Sequence, residues 1–285
     1  ASPGVGPAPI DVERVARPGL HLRLTVTALV SGCVRFVTEG GALVEADAVT
    51  ATSGSPQPGV VEGVLASSSV PLVFAPRTIG DDVYVDGGVL LNIPLEPAVA
   101  LGATEIYAVL ADPLACPSPA PGTDYATADM LNVLFRAEAS VAFYEQQRRS
   151  LQVPRPAGST LTIIDPTVNV VSTFETSAGL LRINMDYGWL RAASVVSGLD
   201  EAPAQQAHVL ADHLTIGRLR AWYLEEGTAG ISAAVDTALA DAKSLVSSSL
   251  AAWTDLGLPL PEHAGSWATQ PELHTSHGGN DPTVD

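Results

Sequence analysis

Apolar positions near the start of the chain recur at every second residue, which is the spacing of a half-buried strand. Residues 22–26 alternate in this way, and residues 34–37 and 41–46 fit two further short strands. A short helix is expected from Gly59, and it should stop before Pro71 because a proline disfavours helical backbone in the residue before it.

The next segment has the pattern of a hairpin, a helix and a strand. Residues 78–85 fit two strands joined by a Gly80-Asp81 turn. Residues 93–102 fit a helix that opens with prolines and closes at a glycine. Residues 105–110 form a short apolar run, typical of a strand covered on both faces. A strand, a helix and a strand in this order predict a parallel α/β sheet.

Helical periodicity dominates the rest of the chain. It predicts a long amphipathic helix over 124–150, a strand over 160–165, and helices at about 177–195, 204–225 and 230–253. In the last helix apolar residues recur every three or four positions, so one face should pack on the body of the protein or on a partner helix.

Composition excludes several classes of function. The chain has 285 residues, of which 46% are hydrophobic and 16% charged, enough for a large buried core. Its 14 Lys and Arg stand against 31 Asp and Glu, and this net charge of −17 argues against a nucleic-acid partner. It also disfavours docking on anionic membranes, which leaves peripheral contact with neutral lipid surfaces. No apolar run approaches the about 18 residues of a membrane-spanning helix.

Cysteine and histidine usage predicts no metal site. The two cysteines, Cys33 and Cys116, exclude a disulfide framework and a four-cysteine zinc site; small buried side chains, bystanders and a single disulfide all remain open. His208 and His213 lie on one predicted helix without the spacing of a zinc pair, so solvated histidines are expected.

One acidic residue stands apart from the surface charge. Asp86 ends the second strand of the predicted hairpin, and Gly87 and Gly88 follow it. Asp-Gly pairs are typical of turns, because Asp caps locally and Gly accepts a positive φ. The same placement puts a carboxylate at the carboxyl edge of a sheet, where open α/β sheets bind ligands. Taken alone, these residues fit either a turn or a site.

The wider pattern around Asp86 resembles the patatin-like phospholipase family. That family's block reads Ala-Ser-Ser-x-x-Pro, a strand, Asp-Gly-Gly or Asp-Gly-Ala, Asn-x-Pro, and Leu-Gly-Ala before a strand. The matching residues are Ala66, Ser67, Ser68, Pro71, Asp86, Gly87, Gly88, Asn92, Pro94, Leu101, Gly102 and Ala103. The resemblance extends over roughly residues 20–195.

The resemblance implies a fold and a division of the chain. The fold would be a three-layer α/β patatin-like arrangement, related to doubly wound sheets with mostly parallel strands, to which C-terminal helices are added. Residues 1–19 would be a linker, 20–195 the C-terminal part of the patatin-like domain, 196–258 a helical extension and 259–285 a disordered tail.

The resemblance also implies a chemistry without metal or organic cofactor. Asp86 would be the proton acceptor of a Ser–Asp dyad that hydrolyses a lipid or other acyl ester through an acyl-enzyme. Gly87 and Gly88 would let the backbone turn tightly behind the acid and admit substrate closely. Ser67, Ser68 and Ser69 are expected to end a helix rather than to act as nucleophiles.

The other half of that machinery is missing from the sequence. No serine has glycine at both positions of a Gly-x-Ser-x-Gly elbow; the half match is Ser232, which opens the last predicted helix. Gly40-Gly41, the glycine pair upstream of Asp86, fits a turn rather than an oxyanion loop. The sequence is therefore expected to be the C-terminal part of a patatin-like protein.

Three hypotheses follow from these observations. The first is a patatin-like lipid acyl hydrolase to which this chain supplies the acid. The second is a non-catalytic lipid-binding or interaction module derived from the same family, which the missing nucleophile favours. The third, an unrelated α/β enzyme that uses Asp86 as a general base, is supported only by the sheet edge.

Overall fold

The computed structural model describes residues 11–54, 56–119, 122–171, 175, 177–226 and 233–269. The chain separates into two units, the first made of residues 1–108 and 115–161 and the second of residues 109–114 and 162–285. The domain boundaries expected from the sequence at residues 19, 195 and 258 stay predictions.

The first unit is built on a five-stranded sheet with the strand order β3-β2-β1-β5-β4. Its strands are β1 (Arg23–Ala28), β2 (Cys33–Thr38), β3 (Leu43–Val44), β4 (Arg77–Ile79) and β5 (Asp82–Asp86). The hairpin expected over residues 78–85 is confirmed, with Ile79 opposite Asp82.

Every neighbouring pair in this sheet is antiparallel, so the mixed α/β class is confirmed but the prediction of a mostly parallel sheet is wrong for these strands. The reason lies in the connections. Tight turns join β1 to β2 and β4 to β5, and a tight turn returns the chain antiparallel, whereas parallel neighbours need a crossover of a dozen residues or so.

Parallel pairing occurs between β6 (Glu105–Val109) and β7 (Thr160–Ile164), which form a separate two-stranded sheet. Thr160 N–H donates to the Thr104 carbonyl (2.8 Å) and Leu110 N–H to the Ile164 carbonyl (2.9 Å), so the two strands run in the same direction. Ile106 and Ala108 are buried, but Tyr107 and Val109 are 51% and 74% exposed. The expectation that this strand is covered on both faces is therefore wrong.

The helices of the first unit are α1 (Val12–Val15), α2 (Val60–Ser67), α3 (Leu95–Ala100), α4 (Met130–Arg136), a π-helical segment (Ala137–Ala142) and α5 (Phe143–Ser150). The long helix expected over 124–150 begins only at Met130, because Asp129 caps it by accepting from the N–H groups of Leu131 and Asn132.

One side of the five-stranded sheet forms a core with α2. Val26, Val37 and Tyr84 of the sheet pack with Ala66 of α2, and all four are buried. Elsewhere in this unit Phe36 packs with Val44 and Ala48 in a separate buried cluster. The strand that ends in the candidate acid, β5, thus belongs to a sheet that is stabilised by packed apolar side chains.

The second unit contains α6 (Ala178–Val196), α7 (Glu201–Glu226) and α8 (Ala233–Asp255), which confirms the helices expected at 177–195, 204–225 and 230–253. A large cluster forms its core, with Ile183, Leu214 and Trp253 fully buried. None of the helices in the described part of the chain is long and apolar enough to cross a membrane.

The segment after α8 corrects a prediction. Residues 259–269, expected to begin a disordered tail, pack into the core of the second unit through Ala264 and Trp267. The indole N–H of Trp253 donates to the Pro259 carbonyl (3.0 Å), and the Arg218 guanidinium lies 4.1 Å from the centre of the Trp267 ring. Burial of a large aromatic side chain in this segment offsets the conformational entropy that is lost when the segment is ordered.

Candidate functional site

Asp86 lies at the carboxyl end of β5 and its backbone is held from two sides. It stands opposite Val26 of β1 in the antiparallel register. Its N–H donates to the Ser69 carbonyl at 3.0 Å, just beyond the end of α2. The main chain that carries the carboxylate is therefore fixed by strand pairing and by the loop that follows α2.

The Asp86 carboxylate opens a short 3₁₀ turn, Gly87–Val89. Its Oδ1 accepts from the Gly88 N–H at 2.7 Å, as a capping side chain does. Its Oδ2 accepts no hydrogen bond from the described residues, and the residue is only partly buried. One carboxylate oxygen is thus used to set the side-chain position, and the other is available to an outside donor.

The two glycines after Asp86 are required by close contacts. A Cβ at Gly87 would lie 2.4 Å from the carbonyl oxygen of Thr25 on β1, so the turn passes directly over that strand. A Cβ at Gly88 would lie 3.0 Å from both Asp86 Oδ1 and Asn92 Oδ1. Gly88 therefore leaves the space in which the carboxylate and the Asn92 amide stand near each other.

Residues on β1 support this turn, and sequence analysis missed them. Thr27 Oγ1 donates to the Gly87 carbonyl at 3.5 Å, and Thr25 sets the close approach of Gly87. Both are buried, and the partners of the Thr27 bond are 60 positions apart. No local signal could have identified them, because strand pairing alone brings β1 beside Asp86.

Exposed apolar side chains flank the Asp86 turn. Leu72 is 91% exposed and has a φ of +72°, and Phe74 in the same loop is 61% exposed. Val89 and Leu90 on the turn itself are 47% and 41% exposed. The loop begins after Ser69, the residue whose carbonyl binds the Asp86 N–H. Exposed apolar side chains therefore occur both on the turn that begins at Asp86 and in the loop that follows Ser69.

The serines closest in sequence to this loop do not approach the carboxylate through a hydrogen bond. Ser67 is the last residue of α2, while the hydroxyls of Ser68 and Ser69 donate at 2.7 Å to the carbonyls of Val64 and Leu65. This confirms that the three serines end a helix. Ser232 lies outside the described residues.

A neighbouring acid in the same hairpin has a structural task. Asp82 Oδ1 accepts from the Val30 N–H (2.9 Å), and its Oδ2 accepts from the Ser31 hydroxyl (2.8 Å). Burial raises the pKa of Asp82, but the hydrogen bonds from Val30, Ser31 and Val83 outweigh it and leave the pKa below its usual value. Asp82 therefore anchors the β1–β2 turn to β5.

The histidines differ from expectation, whereas the cysteines fit one of the alternatives left open by the sequence. His208 is only partly solvated: its Nε2 is buried and has no hydrogen-bond partner among the described residues, and burial together with the nearby Arg191 charge lowers its pKa. His263, expected in a disordered tail, binds Asp186 Oδ2 at 2.9 Å. Cys33 and Cys116 are free and partly exposed rather than buried or paired. His274 and His277 lie outside the described residues, among which no three His, Cys, Asp or Glu side chains form a metal-binding group.

The comparison with known proteins concerns the part of the chain that contains Asp86. The sequence model of the patatin-like phospholipase family matches residues 24–99, from β1 into α3. No curated protein matches the sequence. The match covers the five-stranded sheet, α2, the Asp86 turn and nearly all of α3, and it supports the resemblance drawn from the motif.

Proposed function

We propose that this chain carries the acid of a Ser–Asp dyad in a patatin-like hydrolase of lipid acyl esters, and that Asp86 is this acid. The observation that carries the proposal is the place of Asp86 within residues 24–99, the segment that matches the patatin-like phospholipase family. The proposal includes the three-layer arrangement of that family. An experimental structure of the protein encoded by the longest reading frame that contains this sequence would test that arrangement.

The geometry of the turn suits a general base. Asp86 Oδ1 is held by the Gly88 N–H, which fixes the carboxylate, while Oδ2 can accept the hydroxyl proton of a serine. The serine oxygen then attacks the acyl carbonyl, and the alcohol leaves with the proton returned by Asp86. A water molecule then loses a proton to the same carboxylate and attacks the acyl carbonyl. The bond to the serine oxygen breaks, Asp86 returns the proton to that oxygen, and the fatty acid is released.

The apolar surface beside the turn suits the substrate class. Leu72 and Phe74 stand exposed in the loop tied to Asp86 through the Ser69 carbonyl. Exposed apolar side chains next to a reactive group favour acyl chains over polar substrates, because their burial removes apolar area from water.

A fluorophosphonate probe tests the proposal and identifies the nucleophile, which the sequence does not present in a Gly-x-Ser-x-Gly setting. The chain is labelled, weighed intact and mapped by peptides. A stoichiometric serine adduct that is lost in Asp86→Asn supports the dyad, with ester hydrolysis lowered by roughly 10²–10⁴-fold. Asp81→Asn is the matched control, because Asp81 is an exposed acid in the same hairpin. An adduct that persists in Asp86→Asn contradicts the assignment.

A non-catalytic lipid-binding module is the second candidate, and the exposed Leu72 is the observation that favours it. Absence of any fluorophosphonate adduct, together with binding to phosphatidylcholine vesicles that Leu72→Asp abolishes, would select this function. Val109→Asp is the matched control, because Val109 is also exposed but lies on β6 rather than in the loop after α2.

A further inference from the structure

A groove of about 740 Å³ lies between α7 and α8 in the second unit. The two helices run antiparallel, since Gly217 packs against Val246 while Glu225, further along α7, pairs with Lys243 at 2.8 Å. A Cβ at Gly217 would lie 2.7 Å from the Val246 side chain, so the helices are in tight contact there. Beyond that contact α8 presents the small Ala238, and the groove opens.

The groove has the size and the walls of a site for an apolar chain. Its volume lies within the range of about 300–1,000 Å³ that is usual for ligand sites. Leu219, Leu224 and Leu245 line it, together with the ring of Tyr223, which is 57% exposed. Such walls take up an unbranched apolar chain because its burial removes apolar area from water.

Two opposite charges also line the groove. Arg220 and Asp241 are both exposed, and neither forms an ion pair in the described part of the chain. The nearby Lys243 and Glu225 neutralise each other. The groove therefore offers a ligand one cation and one anion that are separate from each other.

We propose that this groove binds a single-chain zwitterionic lipid with a phosphocholine head group. The chain lies along the leucine walls, and Arg220 pairs with the phosphate through its guanidinium fork. Asp241 and the face of the Tyr223 ring receive the quaternary ammonium, which is attracted both to carboxylates and to aromatic faces. The inference does not depend on the role of Asp86, which belongs to the other unit.

Three amphiphiles that have the same alkyl chain but different head-group charges test whether the groove recognises a zwitterionic head group. Titration calorimetry of the full chain uses dodecylphosphocholine, dodecanoate and dodecyltrimethylammonium, each below its micellar concentration. Dodecylphosphocholine is expected to bind tightest. Equal binding of the three, or tightest binding of either singly charged amphiphile, would overturn the head-group assignment.

Charge variants separate the two ends of the head group. Arg220→Gln should weaken dodecylphosphocholine and dodecanoate by about fivefold, the size of an exposed ion pair. Asp241→Asn should weaken dodecylphosphocholine and dodecyltrimethylammonium and strengthen dodecanoate. Arg182→Gln on α6 is the matched control and should change nothing.

A substitution that fills the groove tests whether the amphiphiles bind there, and it changes no charged side chain. Ala238 is only partly buried, so Ala238→Trp can occupy the groove while the helices stay packed at Gly217. It should abolish binding of all three amphiphiles with an unchanged circular dichroism spectrum. Unaltered binding by this folded variant would exclude the groove as the site. Asp86→Asn should bind like the wild type, which keeps this test separate from that of the dyad.

Discussion

The main chain at Gly87 lies directly against Thr25, so close that a Cβ would stand 2.4 Å from the Thr25 carbonyl oxygen and 2.6 Å from its Cβ. The turn that begins at Asp86 therefore packs against β1 and is also continuous with its own strand, β5. Because the opposing atoms belong to the backbone and to a β-branched side chain, they cannot rotate away.

We expect Gly87→Ala to lower the free energy of unfolding by about 3 kcal/mol, near the upper end for overpacking. Urea unfolding followed by circular dichroism measures it. The matched control is Gly188→Ala in α6, where a Cβ would meet nothing within 4 Å. That variant should be more stable than the wild type by about 0.5–1 kcal/mol, the helix preference of Ala over Gly. A neutral Gly87→Ala would contradict the close approach.

Ionisation of Glu39 makes the stability of the first unit depend on pH in the acidic range. Its carboxylate accepts from the Leu22 N–H (3.1 Å) and from Arg23 (2.7 Å), and it contacts His21 at 3.1 Å. Burial raises the pKa of Glu39, but the hydrogen bonds from the backbone of Glu39 itself, from the Leu22 N–H and from His21, together with the Arg23 charge, outweigh it and lower the pKa to about 2. Because this value lies below that of the unfolded chain, the stabilisation is full above a pH of about 4.5 and is lost as the pH falls toward 2.

Glu39→Gln should therefore cost on the order of 1 kcal/mol at pH 7, an amount limited by partial solvation, and progressively less below pH 4.5. Urea unfolding at pH 7, 5 and 3 measures the difference from the wild type. The exposed Glu138, changed to Gln, is the control. A difference that stays constant with pH would show that Glu39 acts without its charge.

Asp186 and Arg218 form a buried ion pair in the second unit, with 2.8 Å between Oδ2 and Nη1. Their side chains are 7% and 2% exposed, respectively. Asp186→Leu should lower stability by about 3–5 kcal/mol, because it removes the carboxylate from a buried guanidinium. The double variant Asp186→Leu with Arg218→Met should recover much of that loss.

His263 also binds Asp186, but its side chain is 46% exposed. His263→Gln should therefore cost less than about 1 kcal/mol. Thermal unfolding of the three variants ranks these effects. A loss in the double variant as large as in Asp186→Leu would mean that packing, rather than charge, dominates here.

Trp267 fixes the segment after α8. Because Trp267 is only 4% exposed, Trp267→Ala should lower the free energy of unfolding by about 3–5 kcal/mol. Trp189→Ala, at a side chain that is 52% exposed, should change it by less than about 0.5 kcal/mol. Equal effects would mean that residues 259–269 do not belong to the core.

Short-range sequence signals predict those helices and strands whose first and last residues are set by adjacent residues in the chain. The hairpin around Gly80, the helix that ends in Ser67–Ser69 and the three helices after residue 177 all follow from turn residues, caps and periodicity. These features act over a few residues, so the order of side chains specifies them. The role of Asp86 does not follow from local chemistry, because Asp86 and its glycines alone fit a turn as well as a site. It follows from the resemblance of the longer motif to a known family.

The remaining features depend on residues that are far apart in the sequence. Alternation at β1 shows which side chains are buried but not the direction of the neighbouring strand, so the antiparallel pairing of Val26 with Asp86 required the folded chain. Thr25 becomes the support of Gly87, and Trp267 becomes part of a core, for the same reason. Burial is a property of the assembled elements, and no local pattern encodes which distant backbone will cover a side chain.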